Sequence, residues 1–179
     1  GKIRPSKSLA DSLAAMLNKQ KEFIMIDEQK VVYELGMSAI RKSSVSQSGK
    51  QVIVVRGGPG TGKSVVAINL LVEALGEEFN ALYVTKNSAP RAVYESKLTG
   101  VLTRSAYSSL FKGSGGFTTS ETDSFDAILI DEAHRLNEKS GLYSNLGENQ
   151  IKELINAAKC TVFFLDEDQR IHIKDIGSE

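Results

Sequence analysis

The chain has little cysteine, no net charge and no long apolar run, and each absence excludes a class of protein. Cys160 is the one cysteine among 179 residues, so a disulfide framework is excluded and a metal cluster is not expected. Twenty-two basic and twenty-two acidic residues balance, so no whole-chain field attracts nucleic acid or membrane. No apolar stretch approaches the ~20 residues of a membrane span. Nothing resembles a secretory signal peptide, which leaves a cytoplasmic location as the default expectation.

What is present is typical of a globular domain, with a hydrophobic fraction of 41% and a charged fraction of 25%. Apolar, β-branched runs alternate with helical patterns along the chain. The runs predict strands over 52–55, 81–85, 125–130 and 161–165, with a further strand candidate around 101–103. Strands that alternate with helices predict an α/β fold, in which a mainly parallel β-sheet is sandwiched by helices.

Two helices are predicted before the first strand. The first covers 6–20 and buries Leu9, Leu13, Met16 and Leu17. The second covers 27–40, with an apolar side formed by Val31, Val32, Leu35 and Ile40. Later helices are predicted over 65–75, 92–98 and 149–159, and Gly76 is the expected stop of the first of these. Residues 112–123 are rich in Gly, Ser and Thr, which predicts a mobile surface loop or a partly disordered segment.

The most informative stretch runs from Gly57 to Ser64 and has the pattern G-x-x-x-x-G-K-[ST] between a predicted strand and a predicted helix. Its glycines let successive N–H groups point inward at a phosphate, and the helix adds the positive end of its dipole. Lys63 is predicted to reach the β- and γ-phosphates of a nucleotide, and the Ser64 hydroxyl to ligate Mg²⁺. The alternative is a glycine-rich turn without a ligand. The predicted nucleotide-binding residues here are Gly58, Pro59, Gly60, Thr61, Gly62, Lys63, Ser64 and Val65.

An acidic pair, Asp131 and Glu132, follows the apolar run 128–130 and has the form of a Walker B segment. Asp131 is predicted to hold Mg²⁺ through a water, because this ion prefers carboxylate and water oxygens. Glu132 is predicted to orient or deprotonate the water that attacks the γ-phosphate. Two solvated acids at a strand end are the alternative. His134 completes the sequence Asp-Glu-Ala-His, and either couples the site to a neighbouring surface or packs at the start of the next helix.

Gln169 follows the last predicted strand and is a candidate sensor of hydrolysis. A neutral amide can hydrogen-bond both an attacking water and a γ-phosphate oxygen. All these polar groups come directly after predicted strands, and ligands of parallel sheets bind at the carboxyl ends of the strands. The sequence therefore predicts one site at one edge of the sheet, with Lys63, Glu132 and Gln169 as its catalytic residues.

The order of these motifs resembles that in the first RecA-like domain of superfamily 1 helicase-type ATPases. The chain particularly resembles the predicted DNA/RNA helicase family of Schlafen group 3 type. Segment 57–64 is similar to motif I, 130–136 to motif II and 164–169 to motif III, while 85–89 with Arg91 occupies the place of motif Ia. The resemblance covers about residues 24–176. It implies a P-loop NTPase fold of RecA-like type and Mg²⁺-dependent hydrolysis of ATP.

The resemblance also implies roles for residues outside the two main motifs. Gln29 resembles the Q-motif glutamine that reads the adenine edge, which implies a preference for ATP over GTP. An exposed glutamine at a helix start is the alternative. Thr85, Lys86 and Arg91 would face the backbone of single-stranded DNA or RNA, although both basic residues are also ordinary for a soluble surface.

The same resemblance divides the chain into an N-terminal helical segment, 1–50, and a RecA-like ATPase core, 51–179. A helicase of this type has a second RecA-like domain with an arginine finger, which this sequence does not include. Such a finger is worth a factor of ~10³–10⁵ in P-loop enzymes. The chain alone is therefore expected to bind ATP and to hydrolyse it weakly.

Two functions remain open at this point. The first is an ATP-driven motor on nucleic acid, and the second is an ATPase switch that acts on a protein partner without translocating. The neutral charge favours the switch, whereas the order of the motifs favours the motor. A kinase is disfavoured, because Glu132 directly follows Asp131 in a placement suited to activating water, and no arginine-rich lid is evident.

Overall fold

A computed structural model of the protein describes residues 7–45, 49–98, 100, 102–136 and 149–166. The helices are α1 (Lys7–Lys19), α2 (Asp27–Ser43), α3 (Lys63–Gly76), α4 (Ser88–Leu98), α5 (Arg104–Leu110) and α6 (Gln150–Ala157). The strands are β1 (Gln51–Arg56), β2 (Ala81–Thr85), β3 (Phe111–Lys112), β4 (Phe125–Asp131) and β5 (Ala158–Leu165). Short 3₁₀ turns cover Lys21–Phe23, Ser114–Gly116 and Ala133–Arg135. Among these residues, no helix combines the length and apolar character needed to cross a bilayer.

The five strands form one sheet in the order β1-β5-β4-β2-β3, and every neighbouring pair is parallel. This confirms the predicted α/β architecture with a parallel sheet. The register aligns the carboxyl ends of neighbouring strands, since Thr85 pairs with Asp131 and Arg56 pairs with Leu165. Side chains that follow β1, β2, β4 and β5 are therefore brought to one edge of the sheet.

The sheet separates two hydrophobic clusters because alternate side chains of each strand point to opposite faces. Ala127 and Leu129 of β4 lie in the cluster shared with α1, α2 and α3, and with residues of α4 and α5. Ile128 and Ile130 lie in the cluster shared with α6. All four of these β4 residues are fully buried. The continuous apolar run in the sequence is thus explained by burial on both faces.

The N-terminal helices pack on α3 and share its cluster, with Leu13, Leu17, Met37 and Ile40 buried. The side chain of Leu9 lies outside the described part of α1. Gly36 allows α2 to approach α3 closely, since a Cβ there would lie 2.9 Å from the methyl groups of Leu70.

The expected apolar face of α2 is partly wrong. Val31 and Leu35 are 61% and 62% exposed. The buried stripe instead follows the spacing Tyr33, Gly36, Met37 and Ile40, which is the i, i+3, i+4, i+7 face turned toward α3. Because α2 has apolar residues on two adjoining faces, its periodicity did not show which face is buried. The contact with α3 determines the buried face.

Two further expectations are corrected between α3 and α6. Residues 112–123 are not a bare mobile loop, because Phe117 is buried in the α6-side cluster beside Phe125. The strand expected around 101–103 is replaced by β3, although Leu102 makes an isolated bridge and residue 101 lies outside the described residues. Gly76 is the last residue of α3, which confirms it as the predicted stop of this helix, and a left-handed backbone follows at Glu78 with φ 64°.

Candidate functional site

The carboxyl ends of the strands border a cleft of about 330 Å³. This volume lies at the lower end of the range for small-molecule sites. The cleft is lined by the loop between β1 and α3 and by the residues that follow β4 and β5. Its lining includes Gly60, Gly62, Lys63, Ser64, Asp131 and Glu132. The structure thus brings the two predicted motifs together in one cleft, although Ser64 and Asp131 are 67 positions apart in the sequence.

 

A hydrogen bond joins the two motifs directly, from the Ser64 hydroxyl to Asp131 Oδ2 at 2.6 Å.

The loop between β1 and α3 leaves the start of α3 open toward the cleft. Gly60 and Gly62 both have φ +78°, a left-handed conformation that glycine adopts without steric cost. The helical ladder begins with Val66 N–H donating to the Gly62 carbonyl at 3.2 Å. The preceding N–H groups of α3 have no acceptor within the helix, and Gly62 contributes no side-chain cap. These donors and the positive end of the helix dipole together favour an anion.

The Lys63 side chain folds over this loop. Its ammonium donates to the carbonyls of Gly57 and Gly58, both at 2.7 Å, and lies 3.2 Å from Thr61 Oγ1. The Thr61 hydroxyl donates in turn to the Gly58 carbonyl at 2.9 Å. The cation is therefore held inside the curl of the loop, beside the open N–H groups of α3. A lysine cation beside the open N–H groups of a helix start is a donor set suited to a phosphate chain.

Gln29 ties α2 to the same loop. Its Oε1 accepts from the Ile26 N–H at 3.0 Å, which caps the start of α2, and its Nε2 donates to the Thr61 carbonyl at 2.9 Å. The sequence did not indicate this contact, because residues 29 and 61 are 32 positions apart. The closeness of the approach explains a glycine in the loop, since a Cβ at Gly62 would lie 2.0 Å from Gln29 Nε2.

We expect Gly62→Ala to destabilise the protein by about 2–4 kcal/mol, from roughly 1–2 kcal/mol of left-handed strain and ~1 kcal/mol for each hydrogen bond that Gln29 loses. Gly60→Ala is a matched control, because Gly60 has the same φ but nothing within 4 Å of its Cβ position. Denaturant unfolding of both variants measures the difference. Equal loss of stability in the two variants would show that the Gln29 contact contributes nothing.

Asp131 is the most enclosed acid of the cleft, with 4% of its surface exposed. Its Oδ2 accepts from Ser64 Oγ and also from the Tyr83 hydroxyl at 2.5 Å, and its Oδ1 accepts from the Glu132 N–H at 2.9 Å. Burial, and then the charge of Asp131, raises the pKa of Tyr83 well above its ordinary value, so this hydroxyl stays a donor. These donors satisfy a carboxylate that would otherwise be costly to bury.

Glu132 lies at the turn after β4 and has a left-handed backbone, with φ 52°. Its Oε2 accepts from Asn87 Nδ2 at 3.0 Å, and the Thr85 hydroxyl lies 3.4 Å from the same oxygen. Tyr83 was missed as a functional candidate, and Asn87 was included only as part of the segment 85–89, without a role of its own. Asn87 follows a strand end, which was the available signal, whereas Tyr83 looks in sequence like any core tyrosine.

His134 packs under the cleft, with 2% of its surface exposed. Its Nδ1 accepts from the Asp166 N–H at 3.0 Å, which connects the turn after β4 to the end of β5. This geometry supports the packing alternative for the histidine. The described residues contain no group of three His, Cys, Asp or Glu side chains arranged to hold a metal. A hydroxyl and a carboxylate, as at Ser64 and Asp131, nevertheless suit Mg²⁺, which usually keeps several waters.

The remaining predicted site residues are Lys86, Arg91 and Gln169. Lys86 is partly buried directly after β2. Arg91 is partly buried in α4, and its carbonyl accepts from the Tyr107 hydroxyl. Gln169 lies outside the described residues. Cys160 is buried in β5, and burial raises the pKa of its thiol to about 12, as expected for a small core residue.

Comparison with known proteins relates the chain to a helicase-domain family and to a solved structure. A family described as the Schlafen group 3 DNA/RNA helicase domain matches residues 50–179. A solved structure described as the C-terminal domain of a possible DNA helicase from Lactobacillus plantarum WCFS1 is 14% identical. That comparison covers 73% of this chain and 82% of the other, with a TM-score of 0.39. No curated protein matches the sequence.

Proposed function

Because this chain belongs to the family of Schlafen group 3 DNA/RNA helicase domains, we propose that it binds and hydrolyses ATP as part of a helicase-like, nucleic-acid-dependent ATPase. One observation carries the proposal. The glycine-rich loop, with Lys63 inside it, meets Ser64, Asp131 and Glu132 in a single cleft at the carboxyl edge of a parallel sheet. This is the edge at which ligands of such sheets bind.

The phosphates of ATP are proposed to lie in the curl of the loop. There they would take over the Lys63 ammonium from the Gly57 and Gly58 carbonyls, which now hold it. The open N–H groups at the start of α3 supply further donors. The nucleotide-binding set is Gly58 to Val65, in the P-loop arrangement that the sequence pattern predicts.

Mg²⁺ is proposed to bind between Ser64 and Asp131, whose oxygens are already 2.6 Å apart. When bound, the ion neutralises charge on the phosphates. The Tyr83 hydroxyl and the Glu132 N–H keep Asp131 in place. Asp131 is thereby presented to the cleft as a charged, oriented oxygen ligand.

Glu132 is proposed as the general base that takes a proton from the attacking water. Its side chain borders the cleft beside Asp131 but is not used by the metal pair. Gln169 is proposed as the sensor of the γ-phosphate on the basis of its place in the sequence alone. Gln29 is proposed to contribute to adenine recognition, because its amide still has a second N–H and a second lone pair beyond the contacts to Ile26 and Thr61.

Single-stranded DNA or RNA is the proposed partner, bound near Thr85, Lys86 and Arg91. Thr85 itself is fully buried at the end of β2, next to Glu132, so the polymer would contact the residues that follow it and would lie beside the proposed base. We further propose that residues 51–179 form the RecA-like core, that 1–50 contribute the helical segment with Gln29, and that a second RecA-like domain completes the enzyme.

The test is Mg²⁺-dependent ATP hydrolysis by this chain and by the longest natural protein that contains it, with and without single-stranded DNA or RNA. We expect stimulation by polymer of about tenfold or more, because partners that complete P-loop sites are worth at least this factor. Equal rates of hydrolysis with and without both polymers would favour an ATPase switch that acts on a protein partner. The zero net charge of the chain also favours that function. Absence of nucleotide binding would contradict both functions.

A further inference from the structure

The hydrogen bond between Asn87 and Glu132 joins the two proposed sites of the protein. Asn87 is the second residue after β2, at the end of the sheet where nucleic acid is proposed to bind. Its amide donates to Glu132 Oε2 at 3.0 Å across 45 positions of sequence. The Thr85 hydroxyl lies on the same side of that carboxylate, at 3.4 Å. The side chain of the proposed base is therefore held toward β2.

On the side of the nucleotide loop, the hydrogen-bond donors near Glu132 bind Asp131 instead. Ser64 Oγ and the Tyr83 hydroxyl both donate to Asp131, whereas the Glu132 carboxylate accepts from Asn87 and lies 3.4 Å from the Thr85 hydroxyl. The backbone of Glu132 is fixed, since its N–H donates to Asp131 Oδ1 at 2.9 Å. The backbone and the side chain of Glu132 are thus held by different partners, and Asn87 is the partner that restrains the side chain.

We propose that Asn87 is a positioning residue, which holds Glu132 toward β2 until a phosphate of single-stranded nucleic acid takes over its amide. The proposal rests on the proposed function and adds a mechanism by which the polymer controls hydrolysis. A phosphate oxygen and a carboxylate oxygen compete for the same kind of donor. An anion that reaches this end of the sheet meets Lys86 beside Asn87, and the first N–H groups of α4 directly after it.

The expected change in the hydrolysis rate is limited to the free energy of one hydrogen bond, that between Asn87 and Glu132. A hydrogen bond to a charged group corresponds to roughly a tenfold change in an equilibrium. Loss of the Asn87 amide should therefore raise hydrolysis without polymer by about tenfold. The rate with saturating polymer should stay near that of the wild type, so the stimulation ratio falls.

The experiment compares wild type, Asn87→Ala and Asn87→Asp in steady-state ATP hydrolysis, with and without a single-stranded oligonucleotide. Asp resembles Asn in size and in its capacity to support the start of a helix, but it has no amide donor. Both variants should raise kcat without polymer, with the KM for ATP little changed. Ser96→Ala, an exposed change on α4, is the control and should behave as wild type. Binding of a fluorescent ATP analogue and of a labelled oligonucleotide is measured for every variant.

The outcomes distinguish failure of the proposed restraint of Glu132 by Asn87 from failure of the proposed ATPase function. A wild type that shows no stimulation by polymer contradicts the proposed function and overturns the restraint with it. A stimulated wild type with an unchanged or lower unstimulated rate in both variants overturns the restraint alone. A higher unstimulated rate in Asn87→Ala but not in Asn87→Asp also overturns the restraint, because both variants lack the amide. A shared rise in kcat with a smaller stimulation ratio supports it.

Discussion

Replacement of Lys63 by alanine is expected to weaken ATP binding by roughly 10–100-fold, the equivalent of one or two hydrogen bonds to a charged group. Lys63 is the cation inside the glycine-rich loop, where it donates to the Gly57 and Gly58 carbonyls and to Thr61 Oγ1. The variant loses the cation that would bind the phosphates. It also loses the contacts by which Lys63 holds the loop when no nucleotide is bound. Titration with a fluorescent ATP analogue in the presence of Mg²⁺ measures the change.

The matched control is Lys19→Ala, which removes an exposed lysine from the last turn of α1. It should bind the analogue as the wild type does. Thermal unfolding of both variants shows whether the fold is kept, since a loosened loop should cost far less than a core substitution. Analogue binding by folded Lys63→Ala within about twofold of wild type would remove Lys63 from the site.

Replacement of Glu132 by glutamine is expected to lower ATP hydrolysis by ~10²–10⁴-fold, the usual contribution of a general base. Binding of the nucleotide should remain near that of the wild type. Glutamine keeps the length of the side chain, and its Oε1 can still accept from Asn87 Nδ2, the present partner of Glu132. Single-turnover hydrolysis, measured beside analogue binding, separates loss of the base from loss of the site.

Glu121→Gln provides the control, because Glu121 is an exposed acid in the segment before β4. Its hydrolysis and binding should both match the wild type. Hydrolysis by Glu132→Gln at the wild-type rate would mean that another group activates the water, and Glu132 would then be a structural acid at the end of β4. A joint loss of binding and hydrolysis would instead assign Glu132 to the nucleotide or metal site.

Much of the architecture was predictable because it depends on local patterns. The runs over 81–85 and 125–130 contain consecutive apolar residues, which predicts strands buried on both faces, and the structure confirms them as β2 and β4. Expectations failed where local pattern was ambiguous or weak. Val31 and Leu35 could belong to either of two helix faces, and the polar segment 112–123 concealed the burial of Phe117.

The sequence by itself determined which chemistry could occur at the edge of the sheet. The spacing of glycines, Lys63 and Ser64 specifies a loop and a helix start, and the acids after an apolar run specify a strand end. Such signals can be interpreted locally, since a turn or a helix start depends on the few residues around it. The parallel arrangement also followed, because alternating strands and helices have few other ways to bury their apolar faces.

Only the tertiary structure decided which side chains support these groups. Tyr83 meets Asp131 across 48 positions, Asn87 meets Glu132 across 45, and Gln29 meets Thr61 across 32. The first two pairings depend on the register of β2 against β4, and the third on the packing of α2 against α3. A shift of one residue in that register would turn alternate side chains to the opposite face of the sheet. Contacts of this kind follow from the assembled sheet and its helices, and no local pattern specifies them.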